Sequence, residues 1–227
     1  MSQETESEEA IKTGIMNHFA SVSVSFRPRK DFQYSWNQLD GNLSVTVSDY
    51  LPGAPYSVLF DFGDYIGRSV LLRRKIPFPE SFIDYVSGDN FIDTKRPDFL
   101  KRSRNLALST KGNCYDIEDS LKRLHESGII REYDLHNAYF SWCKKPTYNK
   151  LGVCFTMFRT VGISPVLDNP NVPEYVLDFV VYHECLHLRQ GLRWGQRVHD
   201  AEFHRWEKEY PYYREAHSFL PQLKSMV

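Results

Sequence analysis

Apolar and polar residues alternate strictly in two short stretches, Ser21 to Phe26 (SVSVSF) and Leu43 to Val47 (LSVTV). That period of two predicts strands. Pro52, Gly53 and Pro55 then punctuate the chain. From Tyr56 to Leu72 apolar positions recur at mixed spacing and predict a helix, interrupted by Gly63 and Gly67. Residues 76–112 show no readable period and hold Pro77, Pro79 and Pro97. Helical spacing returns at Ile117, Leu121 and Leu124, with Lys122 and Arg123 facing outward. Two aromatic and β-branched stretches follow, at 137–143 (NAYFSWC) and 151–160 (LGVCFTMFRT), and predict strands joined by the loop KKPTYNK. Pro173 suits the first turn of a helix predicted over 173–189, which Gly191 and Gly195 end. A last helix, over about 200–209, stops before Pro211.

The helix over 173–189 is apolar on nearly every side, through Val176, Leu177, Phe179, Val180, Val181, Cys185, Leu186 and Leu188. A helix apolar all round is buried, and a polar group in its middle needs a partner. Its middle nevertheless reads His183-Glu184-Cys185-Leu186-His187. The two histidines are four residues apart and share one face, so both imidazoles can grip a single zinc ion. Glu184 lies about 100° around the helix from His183 and can flank the metal without ligating it. This is the H-E-x-x-H arrangement of zinc metalloproteases. With 8 histidines in 227 residues, chance predicts roughly 0.02 such matches. Cys185, two positions from His183, points off that face and reads as a small buried hydrophobe.

A catalytic zinc site needs a third protein ligand. The extended motif H-E-x-x-H-x-x-G-x-x-H is excluded, because Gln190 and Arg193 stand where Gly and His are required. In the stretch 199–209 (HDAEFHRWEKE), read as a helix, His199, Phe203 and Trp206 share an apolar face. His199 is therefore the expected third ligand and Glu202 the alternative. His204 falls on the other side, and it and His217 read as ordinary histidines.

Charge and cysteine usage narrow the function classes. The net charge is -1, so whole-chain attraction to nucleic acid is absent. Local basic clusters, at Arg27 to Lys30 and at Lys95, Arg96, Lys101, Arg102 and Arg104, are the only candidates for phosphate contact. The four cysteines form no C-x-x-C pair and read as reduced thiols. Residues 1–10 read as a disordered acidic tail, not a signal peptide. No apolar run suggests a membrane span, so a cytoplasmic protein is expected. Residues 11–112 read as an N-terminal α/β elaboration packed on the same domain as a catalytic core at 113–227.

HECLH, the later H-D-A-E-F and EKEYPYY, and the lead-in SPVLDNPNVPEYVLDFVVYHE resemble the SprT-like and YgjP-like zinc metalloprotease superfamily. The resemblance covers roughly residues 115–215. It implies an α+β, zincin-like fold in which a small mixed sheet packs on the buried H-E-x-x-H helix. It further implies zinc on His183, His187 and His199, and peptide-bond hydrolysis with Glu184 as general base. Arg197, Tyr210, Tyr212 and Tyr213 are candidates to stabilise the oxyanion. Asp178 and Asp200 are candidates to accept the far N–H of a ligand histidine. The partner expected is a protein or peptide substrate, added as an extra strand along 151–160. Two rivals stand beside this: a DNA-associated protease of the same type, and a non-catalytic zinc-binding domain.

Overall fold

In the computed structural model, which describes residues 2–225, the chain divides into two compact units. One runs to Arg102 and includes Leu192–Gln196; the other holds Ser103–Gly191 and the chain from Arg197 onward. The division falls ten residues before the expected boundary at 112/113.

The first unit opens with helix α1 (Gln3–Ile15), where a disordered tail was expected. The acidic residues that suggested disorder are its solvent side. Ser7, Ala10, Ile11, Gly14 and Ile15 form the buried side, and the Ser2 side chain caps the start. Strands β1 (Ser21–Arg27), β2 (Tyr34–Leu39) and β3 (Asn42–Ser48) follow, then helices α2 (Tyr56–Leu71), α3 (Glu80–Ser87) and α4 (Asp89–Arg102). Strand β2, unread in the sequence, joins β3 through Asp40 and Gly41, both at positive φ (49° and 78°). The sheet order is β1-β3-β2, with β1 parallel and β2 antiparallel to β3.

Gly63 does not weaken α2; it lets α1 approach. A Cβ there would stand 2.1 Å from the Ile11 carbonyl oxygen, and one on Gly14 would stand 2.1 Å from that of Phe60. The illegible stretch 76–112 contains α3 and α4, and Pro97 lies inside α4. Its basic cluster is largely engaged internally. Arg102 grips Asp49 with two hydrogen bonds (2.5 and 2.7 Å), Lys95 donates to the Pro52 carbonyl (3.1 Å), and Lys101 pairs with Asp98 (3.2 Å). Trp194 stacks on Phe78, with ring centroids 5.1 Å apart.

The second unit contains α5 (Ile117–Glu126), α6 (Glu132–Leu135), strands β4 (Tyr139–Trp142), β5 (Gly152–Phe155) and β6 (Thr160–Ile163), then α7 (Glu174–Gln190), α8 (Ala201–Glu207) and α9 (Tyr213–Phe219). The single strand expected over 151–160 is broken. After β5 comes a 3-10 turn, Thr156–Phe158, and Arg159 adopts a left-handed conformation (φ 43°) that reverses the chain into β6. The Arg159 guanidinium holds this corner through the carbonyls of His136 (2.7 Å) and Asp134 (2.8 Å). The sheet order is β4-β6-β5, which leaves β5 on an edge. Helix α7 packs on β5 and β6 and against α5, α6, α8 and α9.

Buried pairs fix the roll of α7. Arg123 of α5 donates twice to Asp178 (2.8 Å each), and Arg189 donates twice to the buried Asp134 (3.0 and 2.7 Å). Bidentate geometry of this kind constrains orientation as well as distance. The molecule is thus a mixed α+β protein with two small mixed sheets. No helix among the described residues is long and apolar enough to cross a membrane.

Candidate metal centre

Helix α7 runs from Glu174 to Gln190 as predicted, with Pro173 at its N-cap and Gly191 at its C-cap. It carries His183 and His187 one turn apart on the face toward α8. His199 comes from the loop just before α8. It lies outside the helix, because Asp200 is the N-cap and its carboxylate accepts the Phe203 N–H at 2.9 Å. The cap therefore holds the residue that follows His199 and sets where α8 begins.

One ring nitrogen from each of His183, His187 and His199 lies within 4.8 Å of the others. The Nε2 atoms of His187 and His199 are 3.2 Å apart. Two nitrogens on one tetrahedral zinc, each about 2.1 Å from the ion, stand roughly 3.4 Å apart. Three imidazoles at this spacing fit zinc as a donor set, and no other His, Cys, Asp or Glu joins the group among the described residues. Glu202 is exposed and pairs with Arg205 (3.1 Å) instead.

Electrostatics favour the neutral, ligand-ready ring. Burial pushes the His187 pKa down to about 3, helped by the fields of His183 and His199. Burial also lowers His199, with His183 adding to it. A ligand histidine must be unprotonated to bind, and both are so at neutral pH.

Two residues of α8 support the trio: Glu207, unread in the sequence, and Phe203, read there as part of an apolar face. Glu207, at the end of α8, is buried and accepts a hydrogen bond from the His183 ring at Nδ1 (2.8 Å), which leaves Nε2 for a metal. Burial pulls the Glu207 carboxyl upward, but its bond to His183 and the field of that ring outweigh this, and its pKa falls below the usual value. Phe203, fully buried, packs under all three rings, with centroids 5.0, 4.7 and 4.7 Å from those of His183, His187 and His199. Phe203 and Glu207 are four apart and so share one side of α8. That spacing is the only sequence signal for Glu207, and the flanking Lys208 and Glu209 masked it as part of a solvated run.

The expected carboxylate partners of the ligands are otherwise engaged. Asp178 binds Arg123, and Asp200 caps α8. Of the proposed oxyanion stabilisers, Tyr210 is buried and donates to the Tyr175 carbonyl at 2.8 Å. His204 is not free of the site, since its Nδ1 lies 3.4 Å from Glu207.

Glu184 sits beside this group, buried, on the side facing β5. Burial raises its pKa to about 7, while His183 and Lys150 pull the other way. No side chain or amide among the described residues hydrogen-bonds its carboxyl. The carboxyl lies against the Cα of Gly152, the first residue of β5; a Cβ there would stand 2.3 Å from Glu184 Oε1. Glycine at 152 is thus what admits the carboxyl beneath the edge strand. The buried Cys185 and the partly buried Cys154 have thiol pKa values raised by desolvation, in keeping with packing roles.

Comparison with models of protein families, with curated proteins and with solved structures finds no match for the chain.

Proposed function

We propose that this protein is a zinc-dependent metallopeptidase, with a zincin-like second unit as its catalytic part. One observation carries the proposal: three imidazoles gathered at metal-binding spacing next to a buried carboxyl that nothing else hydrogen-bonds. The resemblance of its H-E-x-x-H helix and following H-D-A-E-F segment to SprT-like proteases supports it.

His183, His187 and His199 would hold the zinc. Bound there, zinc supplies a water acidified toward a pKa of about 7 and polarises the scissile carbonyl. Glu184 accepts the proton of the attacking water and returns it to the leaving amine. Its own pKa near 7 matches it to both directions of transfer. Glu207 fixes the tautomer and the roll of the His183 ring. Phe203 gives the ligand rings an apolar floor on which they pack. The free edge of β5 offers backbone N–H and C=O groups to an extended peptide, which would then pass over Gly152 and so over Glu184. The four free cysteines suit a reducing, cytoplasmic setting.

The test combines metal content with proteolysis of a denatured protein substrate. Wild-type protein is expected to hold one zinc, lost in His199→Ala and kept in Glu202→Ala. Glu184→Gln is expected to keep the zinc and lose about 10²–10⁴-fold in cleavage rate. Full cleavage by Glu184→Gln, or no zinc after reconstitution, overturns the proposal.

A further inference from the structure

The loop between β4 and β5 reads CKKPTYNK from Cys143 to Lys150, with three lysines and no carboxylate. It is built rigidly. The buried Ser164 hydroxyl accepts the Thr147 N–H (3.0 Å) and donates to the Thr147 carbonyl (2.9 Å), so one side chain clamps both ends of that peptide unit. The Thr147 hydroxyl in turn binds the Lys150 carbonyl. Asn105 accepts the N–H of Lys144 with its backbone (2.7 Å) and that of Lys145 with its side chain (3.0 Å). The Ser164 N–H donates to the Leu151 carbonyl at 2.8 Å and fixes the exit into β5.

Lys144, Lys145 and Lys150 are all exposed, and none has an ion-pair partner among the described residues. Asp168 is already engaged elsewhere. It accepts the backbone N–H groups of Asn113, Cys114 and Tyr115 at 2.6, 2.8 and 3.0 Å. Arg197, two residues before His199, is likewise exposed and unpaired. Lys150 stands two residues before Gly152, which lies against the Glu184 carboxyl, and Arg197 two residues before His199.

We infer that this loop, with Lys150 foremost, selects peptides carrying acidic residues beside the scissile bond. The placement is what singles out a peptide. Lys150 stands two residues before Gly152, over which the substrate passes if the metallopeptidase reading holds. At about 3.3 Å per residue of extended chain, a lysine there reaches substrate positions within two residues of the cut. A nucleic acid would need a longer basic track, and the larger basic cluster of the chain is already paired with its own acids.

The experiment has two arms, so that this inference and the peptidase reading fail separately. In the first, zinc-loaded protein digests a peptide library made from a denatured proteome, and cut sites are read by mass spectrometry. Aspartate and glutamate should be enriched about fivefold within two positions of the cut, less so at high salt. Lys150→Glu should abolish or reverse the enrichment, while Lys122→Glu, the same charge change on α5, should not. In the second, zinc-loaded Glu184→Gln is titrated with two fluorescent peptides that differ only in glutamate against glutamine. Tighter binding of the glutamate peptide, lost in the double variant with Lys150→Glu, supports the loop's role even if no cleavage is found. Cleavage or binding without acidic preference, or a preference unchanged by Lys150→Glu, overturns it. So does displacement of the bound peptide by a single-stranded oligonucleotide whose own binding needs the three lysines, which would assign the loop to nucleic acid.

Discussion

The two three-stranded sheets of this protein share one wiring and nothing else. In each, the first strand lies parallel to the third and the second antiparallel to it, giving β1-β3-β2 and β4-β6-β5. The first sheet is two-faced. Leu43, Val45 and Val47 are buried, whereas Ser21, Ser23 and Ser25 pair hydroxyls with Asn42, Ser44 and Thr46 on the opposite face. The second sheet is buried throughout its central strand β6, and Phe140, Ser141 and Trp142 of β4 are buried as well. In the second, the edge strand β5 lies against α7, the helix that carries His183, Glu184 and His187. The same topology lies under a plain polar face in one unit and beside the histidine trio in the other, so any chemistry resides in the side chains seated on it.

The glycines break the comparison most strongly. Gly63→Ala in the first unit sets a Cβ against the Ile11 carbonyl, which belongs to a packed helix and cannot give way. A stability loss of about 3 kcal/mol is expected, at the upper end of overpacking costs. Gly152→Ala in the second sets a Cβ against the Glu184 carboxyl, a side chain that can turn. Its stability loss should be smaller, about 1–2 kcal/mol, but cleavage should fall at least tenfold with zinc retained. Urea midpoints and single-turnover rates on the two variants separate these outcomes. If Gly152→Ala leaves the rate unchanged, Glu184 does not work where β5 now holds it.

These glycines also mark how far the sequence could be read. The H-E-x-x-H helix, its burial and the His199 partnership were legible, because a four-residue spacing in an apolar helix has few other uses. Strands β1 and β3 were legible through strict alternation. Gly63 and Gly152 were not, since one chain cannot say which neighbour approaches a missing Cβ. The acidic start looked disordered for a related reason: Ala10, Ile11, Gly14 and Ile15 gain their value only from distant elements, α2 and β1, that pack on α1. Glu207 stayed hidden because a buried carboxylate inside EKE is indistinguishable from its exposed neighbours until His183 is placed beside it.

Buried charge separates the units next. In the first, Arg102 and Asp49 satisfy each other. In the second, Glu184 is buried without a hydrogen bond, and its pKa rises from 4.5 to about 7. The sign follows from linkage. A raised folded-state pKa means the folded state holds the proton more tightly, so this group's contribution is fully present below pH 4.5 and is lost as pH rises through about 7. A shift of this size corresponds to roughly 3 kcal/mol. In zinc-stripped protein, Glu184→Gln should match wild type near pH 5 and exceed it by about 2–3 kcal/mol at pH 8. His187 runs the other way, its contribution present above pH 6.5 and lost as pH falls toward 3. An equal difference between variant and wild type at both pH values would show that Glu184 is not held neutral by burial.

The smallest expected effect probes what a hydrogen-bonded carboxylate does in each unit. Asp49 accepts two hydrogen bonds from Arg102 and ties α4 to the end of β3. Glu207 accepts one from His183 and thereby orients a ring. Removing the first should lower stability and leave zinc affinity unchanged. Removing the second should weaken zinc about 10–100-fold, the usual cost of losing the group behind a ligand histidine. Glu207→Gln should lose less than Glu207→Ala, because the amide oxygen still accepts the Nδ1 proton and only the charge is gone. Zinc competition against a chromogenic chelator, run on Asp49→Ala, Glu207→Ala and Glu207→Gln, reads all three. Equal zinc affinity in Glu207→Ala and wild type would mean that α7 and Phe203 alone hold the His183 ring, through packing rather than through a hydrogen bond.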